Sequence, residues 1–224
     1  MSKVIATIGP RTESEKSITK LSQLGVKIFR LNLSHNSIEW HINIINNIRK
    51  ISPLCSILVD IPGRKIRTTL NVSKEKFKKG QIIYLVTDDF KKGSLESRYI
   101  YEINNNILFN MAKKGMEIYA DDGRLSFYIK DVCNEYITLI TKCDGLLQEC
   151  KGINIPGSSF DEKKLNDKDK FFLEFCCEHK VDFVGISFVD NADYLKNIQD
   201  YIGERHPRAI AKIENASAIK NLSE

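Results

Sequence analysis

The chain has 224 residues, 42% of them hydrophobic, which is enough for a sizeable core in one large domain or two modest ones. Lys and Arg outnumber Asp and Glu by 34 to 29, a formal charge of +5, with the signs interspersed; a nucleic-acid tail is excluded and a mild preference for anionic ligands remains. No apolar run approaches the roughly 18 residues of a membrane span, and MSKVIATIGP is too short in its apolar part for a signal peptide, so a soluble cytoplasmic protein without membrane or nucleic-acid partners is expected. The 6 cysteines form no C-x-x-C pair and are expected to be reduced, acting as small apolar residues.

In chain order, KVIATI (3–8) reads as a buried strand closed by Gly9-Pro10. Thr12 and Glu15 have capping-box spacing and precede Ile18, Leu21 and Leu24 on one helical face, with Gly25 as the stop. VKIFRLNL (26–33) is a second strand, and Ser37 is placed to cap a helix whose apolar face holds Ile38, Ile42, Ile45 and Ile48. CSILVDI (55–61) is a third strand, ended by Pro62-Gly63.

Between about 68 and 151 the pattern becomes β-rich. QIIYLVTD, EIYAD, LSFYIKDV and EYITLI are separated by polar turns, with no long helix signalled between them. After GINIPG the earlier rhythm returns: a helix from Asn166 to about His179, the strand VDFVGISF (181–188), a helix carrying Leu195, Ile198 and Ile202, a stop at Gly203, and a strand AIAKI (209–213). Strands alternating with helices predict an α/β fold, either a (β/α) barrel or a doubly wound sheet, with an all-β insertion.

In such folds chemistry gathers at the carboxyl ends of parallel strands. There the sequence places Arg30, Asn32, Ser34 and His35, then Asp60 with Arg67 beyond it, then Lys212 and Glu214. Arg30, Asn32 and Ser34 share one face of their strand, while Leu31 and Leu33 point to the other. Arg and Lys suit phosphate or carboxylate, and the Asn, Ser and carboxylate oxygens suit a hard cation. The same residues also have plain structural readings: Ser34 and Ser37 as helix caps, His35 as a surface histidine, Asp60 and Arg67 as an ion pair, Lys212 and Glu214 as solvated charges, and DDG (121–123) as a hairpin turn.

TIGPRTES, FRLNLSHNS, VDIPGRKIRT, ADDGRLS, KGINIPG, VDFVGISFV and AKIEN occur in the order and at about the spacing of the corresponding segments of pyruvate kinase, and the chain resembles that family along essentially its whole length. The resemblance implies a partial (β/α)8 TIM-type barrel of about five βα units over 1–67 and 152–224, with a barrel-like β domain inserted at 68–151. It implies phosphoryl transfer between phosphoenolpyruvate and ADP, giving pyruvate and ATP, with Mg²⁺ (or Mn²⁺) and K⁺ as cofactors. By matching position it assigns Arg30 to the phosphoryl group and Lys212 to its transition-state charge. Asn32, Ser34, Asp60 and the Ile61 carbonyl fall to K⁺, and Glu214 to Mg²⁺. Asn32, His35, Arg67, Lys151 and Pro10 fall to the nucleotide, and Asp121 and Asp122 to the closing tip of the insertion.

Departures accompany the matches. Asp190 stands where relatives usually carry arginine, so a family ion pair is expected to be lost, and Arg64 and Lys65 alter the loop after Asp60. The family's Gly-Asp-Leu-Gly segment, with a second Mg²⁺ aspartate, does not occur within these 224 residues, and NASAIKNLSE reads as the start of a helix that continues. Three explanations stay open: a fragment of a longer kinase, a truncated homologue whose barrel is completed by a second copy or a partner chain, and a degenerate descendant kept for a different task. Two other functions stay open at this level: an enolate or 2-oxo acid enzyme, and a binding or assembly subunit without chemistry.

Overall fold

The computed structural model describes residues 3–63, 65–71, 74–87, 90, 95–156 and 165–224; Arg64 and Gly157, named above, lie outside them. In chain order the elements are β1 (Ile5–Thr7), α1 (Glu15–Gln23), β2 (Ile28–Asn32), α2 (Ile38–Ile51) and β3 (Ser56–Ile61). There follow β4 (Ile66–Asn71), β5 (Ile82–Val86), β6 (Ile100–Ile103), α3 (Ile107–Met111), β7 (Glu117–Ala120), β8 (Leu125–Val132), β9 (Tyr136–Thr141) and β10 (Gly152–Asn154). The last are α4 (Asp167–Glu178), β11 (Phe183–Ile186), α5 (Ala192–Ile202), β12 (Arg208–Ala211) and α6 (Ala216–Lys220). They divide into two compact units, Met1–Arg64 with Ser159–Glu224, and Lys65–Ser158. Among the described residues no helix is long and apolar enough to cross a membrane.

The first unit is built on a five-stranded sheet in the order β1-β2-β3-β11-β12, every pair parallel. Spatial order follows chain order without reversal. A doubly wound sheet would reverse at a switch point, so this is the winding of a (β/α) barrel. Alternation along each strand sends Phe29, Leu31, Leu33, Ile57, Val59, Ile61, Val184 and Ile186 to the helix side, where they meet Ile18, Ile44, Ile45, Ile48, Leu173, Cys176 and Ile198. Burying each such side chain contributes about 1.5–3 kcal/mol, so this face holds the unit together. Cys55 and Cys176 belong to this core, as small apolar residues.

Local signals fix the helix ends, with one correction. Ser14, not Thr12, caps α1, its hydroxyl accepting from the Ser17 amide at 3.2 Å. Thr12 is already engaged: its hydroxyl accepts from the Gly9 amide at 3.0 Å and its amide donates to the Gly9 carbonyl at 2.8 Å, closing the turn after β1. The helix also stops at Gln23, which leaves Leu24 73% exposed instead of on the apolar face. Ser37 caps α2 as its position predicts, accepting from the Trp40 amide at 3.2 Å. The buried stripe of α2 is His41, Ile44, Ile45 and Ile48, with Ile38 and Ile42 only half-buried. Gly25 and Gly203, at φ +94° and +62°, follow α1 and α5 in conformations that disfavour any side chain.

The second unit is a closed barrel in the order β10-β4-β6-β5-β9-β8-β7, antiparallel except for the β5–β6 pair. Its interior is filled by Ile83, Leu85, Tyr101, Ile103, Phe127 and Leu139, all nearly inaccessible to solvent. The sequence pattern signals β5, β7, β8 and β9. It misses β4, β6 and β10, which are short or mixed in polarity and are held by backbone pairing to neighbours far away in the chain.

Candidate functional site

On the sheet face opposite the helices, the carboxyl ends of the strands carry a row of polar side chains. Arg30 on β2 reaches Asp60 on β3, its Nε at 2.9 Å and its Nη2 at 2.5 Å from Oδ2, while Nη1 donates to the Thr7 hydroxyl at 3.1 Å. Register explains the convergence: Thr7 is the cross-strand partner of Arg30, and Asn32 that of Asp60. The Asp60 side chain is only 6% exposed, so its charge needs partners. The anion that Arg30 requires is thus supplied by the fold, and the counter-ion of Asp60 is Arg30, not Arg67 as weighed from the sequence.

Asp60 is shared with a second cation. Lys212, just past β12, has Nζ at 3.4 Å from Asp60 Oδ2, 3.2 Å from Glu214 Oε1 and 2.9 Å from the Ser187 hydroxyl oxygen. The other Glu214 oxygen accepts from the Phe188 amide at 3.1 Å. Phe188 sits at φ +56°, a left-handed conformation that costs a bulky residue about 1–3 kcal/mol. Two cations and two carboxylates therefore meet where three parallel strands end, a cluster able to receive an anionic group and a divalent cation together.

The neighbouring candidates are occupied locally. Asn32 Oδ1 accepts from the Ser34 amide at 3.0 Å, shaping the turn after β2, and the Ile61 carbonyl accepts from the Ser187 hydroxyl at 3.0 Å. Each of these oxygens keeps a second lone pair. His35 is exposed; its carbonyl is held by Nε2 of the buried His41 at 2.8 Å. Pro10 is exposed in the turn after β1.

The second unit gathers its own charged group. Asp121, Asp122 and Gly123, at φ +51°, +54° and +84°, form the hairpin turn between β7 and β8. Lys151 Nζ pairs with Asp121 Oδ1 at 2.7 Å and Lys65 Nζ with Asp122 Oδ1 at 3.3 Å. Arg67, on β4, donates to the Cys150 carbonyl at 3.0 Å.

The family model of the pyruvate kinase barrel domain matches residues 1–224. The chain belongs to the pyruvate kinase family. It is 32% identical over 232 residues to a pyruvate kinase of Lachancea kluyveri, covering 99% of this chain and 46% of that protein. It is 33% identical over 229 residues to one of Schizosaccharomyces pombe, covering 98% and 45%, and 32% identical over 231 residues to pyruvate kinase 1 of Saccharomyces cerevisiae, covering 99% and 46%. The chain thus spans less than half the length of these pyruvate kinases.

Within the chain, three residues of the site carry no signal that sequence reasoning used. Thr7 and Ser187 hold Arg30 and Lys212, and Gly185 makes room for Asp60: a Cβ there would lie 2.3 Å from Asp60 Oδ1. Gly185 is the cross-strand partner of Asp60, so a small residue beside a buried carboxylate in a neighbouring strand is the clue that register would have provided. Asp190 is buried; its Oδ1 accepts from Asn215 Nδ2 at 2.6 Å and its carbonyl from Asn221 Nδ2 at 2.9 Å, placing it at the ends of α6.

Proposed function

We propose that the chain performs the pyruvate kinase reaction, moving the phosphoryl group of phosphoenolpyruvate to ADP in the cytoplasm. The observation that carries this reading is the convergence of Arg30 and Lys212 on the buried Asp60 carboxylate at the strand ends, with Glu214 alongside. Phosphoryl transfer asks mainly for positioned positive charge. Arg30 and Lys212 supply it from two strands, and Asp60 holds both heads in place before substrate arrives.

The donors also fit the family's cations. Glu214 offers a half-exposed carboxylate suited to Mg²⁺ or Mn²⁺, which takes one or two protein carboxylates and completes its shell with substrate oxygens and water. Asn32, Ser34, Asp60 and the Ile61 carbonyl offer the hard oxygen set that suits K⁺. Bound there, the cations would neutralise charge on the transferring group. In the same proposal Pro10, Asn32 and His35 serve the nucleotide.

The test is ATP formation from phosphoenolpyruvate and ADP with Mg²⁺ and K⁺, run alongside the molecular mass in solution, which reports whether a second copy or partner takes part. ATP formation that is lost in Lys212→Met supports the reading. Failure to form ATP, with α-proton exchange into bound pyruvate, replaces it with enolate chemistry; failure to bind either ligand leaves a binding or assembly role.

A further inference from the structure

Ser187 is 8% exposed and lies at the end of β11, between the Ile61 carbonyl and the Lys212 ammonium. Its single hydroxyl proton is committed to the Ile61 carbonyl at 3.0 Å, so toward Lys212 the oxygen acts only as an acceptor, at 2.9 Å. An ammonium has three N–H donors, and Lys212 has three acceptors: this hydroxyl, Glu214 at 3.2 Å and Asp60 at 3.4 Å. The neutral acceptor is the nearest of the three. The two carboxylates have other duties, Asp60 with Arg30 and Glu214 with the Phe188 amide, so Ser187 is the acceptor whose strength does not change when charge enters the site.

The serine is itself fixed from behind. Gly63 packs against it so closely that a Cβ at 63 would sit 2.6 Å from the Ser187 carbonyl oxygen and 2.8 Å from its Cβ. Gly63, read from the sequence together with Pro62 only as the end of β3, thus acts as a backstop for the Ser187 side chain.

We propose that Ser187 is a positioning residue for phosphoryl transfer, holding the Lys212 ammonium off Asp60 and aimed at the phosphoryl group. The proposal rests on the phosphoryl-transfer reading above. Without the hydroxyl, Lys212 keeps only its two carboxylates and collapses toward them. Ground-state binding of substrate changes little, because the charge remains; the aim of the ammonium in the transition state is what is lost.

Two measurements test this. In ¹H–¹⁵N spectra tuned to lysine ammonium groups, the protein should show a protected resonance that Lys212→Arg removes and Ser187→Ala removes or broadens. In the ATP assay, Ser187→Ala should lower kcat about 10- to 100-fold while the KM for phosphoenolpyruvate moves less than about twofold, a split that a general loosening of the fold would not produce. A Lys212 resonance that is absent in the unsubstituted protein, or unchanged in Ser187→Ala, overturns the proposal. So does an unchanged kcat, or a KM that rises while kcat holds. If the unsubstituted protein makes no ATP while its ammonium signal depends on Ser187, the transfer reading has failed and takes the catalytic role with it. If ATP is made and Ser187→Ala is as fast, the positioning role fails alone.

Discussion

The Lys65–Ser158 unit closes on itself through the β10–β7 pair, whereas in the other unit β1 and β12 are each paired on one side only among the described residues. In the closed barrel the inward side chains fill the interior, while the candidate residues Asp121 and Asp122 sit in a turn and Lys151 lies just before β10. In the parallel sheet the large apolar core lies on the helix side. The opposite face is free to carry Arg30, Asp60, Ser187 and Lys212 side by side. Closure gives a filled core with charged residues at its rim, and a sheet covered on one face gives a row of charges on the other.

That contrast breaks most decisively at Lys212. Lys212→Met should leave both units folded and lower ATP formation about 10²- to 10³-fold, the effect of removing one preorganised charge from a transfer site. A variant retaining most of its activity would move the chemistry away from the sheet face. Next in size is Gly185→Ala, whose methyl would press on the Asp60 carboxylate that Arg30 pins. A loss of about 1–3 kcal/mol in urea unfolding is expected, confined to the sheet unit, with activity falling as Asp60 shifts.

The barrel should respond in the opposite sense to a polar deletion. Tyr101 lies wholly inside it, its hydroxyl without a hydrogen-bond partner among the described residues, and burial pushes its pKa up to about 12. Tyr101→Phe removes an unsatisfied polar atom and should stabilise the barrel by about 1 kcal/mol in the same urea titration, without effect on catalysis. A loss of stability would mean that the hydroxyl has a partner after all.

The smallest effect is expected from pH. Burial of His41 disfavours its charged form and lowers its pKa, and a second proton would sit on Nδ1, a buried atom without a partner among the described residues. The folded state therefore binds that proton less readily than the unfolded chain. This contribution to stability is fully present above about pH 6.5 and is lost as the pH falls toward the lower folded value. Melting curves between about pH 7 and pH 5 should fall more steeply for the unsubstituted protein than for His41→Gln. Parallel curves would remove His41 from the account.

Much of the sheet unit was legible because its signals are local. Periodicity along 26–33 put Arg30 and Asn32 on one face, although β2 ends at Asn32 and Ser34 falls in the turn beyond it; Ser37 before an isoleucine-rich stretch marked the cap of α2. Local signals also explain the miss at α1, where Thr12 has cap spacing but its hydroxyl is taken by the preceding turn. Long-range partners were not legible. Asp60 could be paired in thought with Arg67, seven residues on, but its actual partner on β2 is set by strand register, which no single stretch of sequence records. Ser187 was hidden for the same reason: a hydroxyl at the end of an apolar run looks incidental until β3 and β12 are placed on either side of it. In the barrel, β6 and β10 became strands only through their neighbours.

The pairing of β4 with β10 has one more consequence. Arg67 faces Gly152 and Ile66 faces Ile153, while the Thr68 hydroxyl takes the Lys151 amide at 2.9 Å and gives its proton to the Gln148 carbonyl at 2.7 Å. The two ends of the inserted segment are therefore laced together from within. A segment that leaves and returns through adjoining strands has the anatomy of a cassette: cut out, it keeps its own ends joined, and a graft elsewhere needs a host with only a narrow gap to bridge.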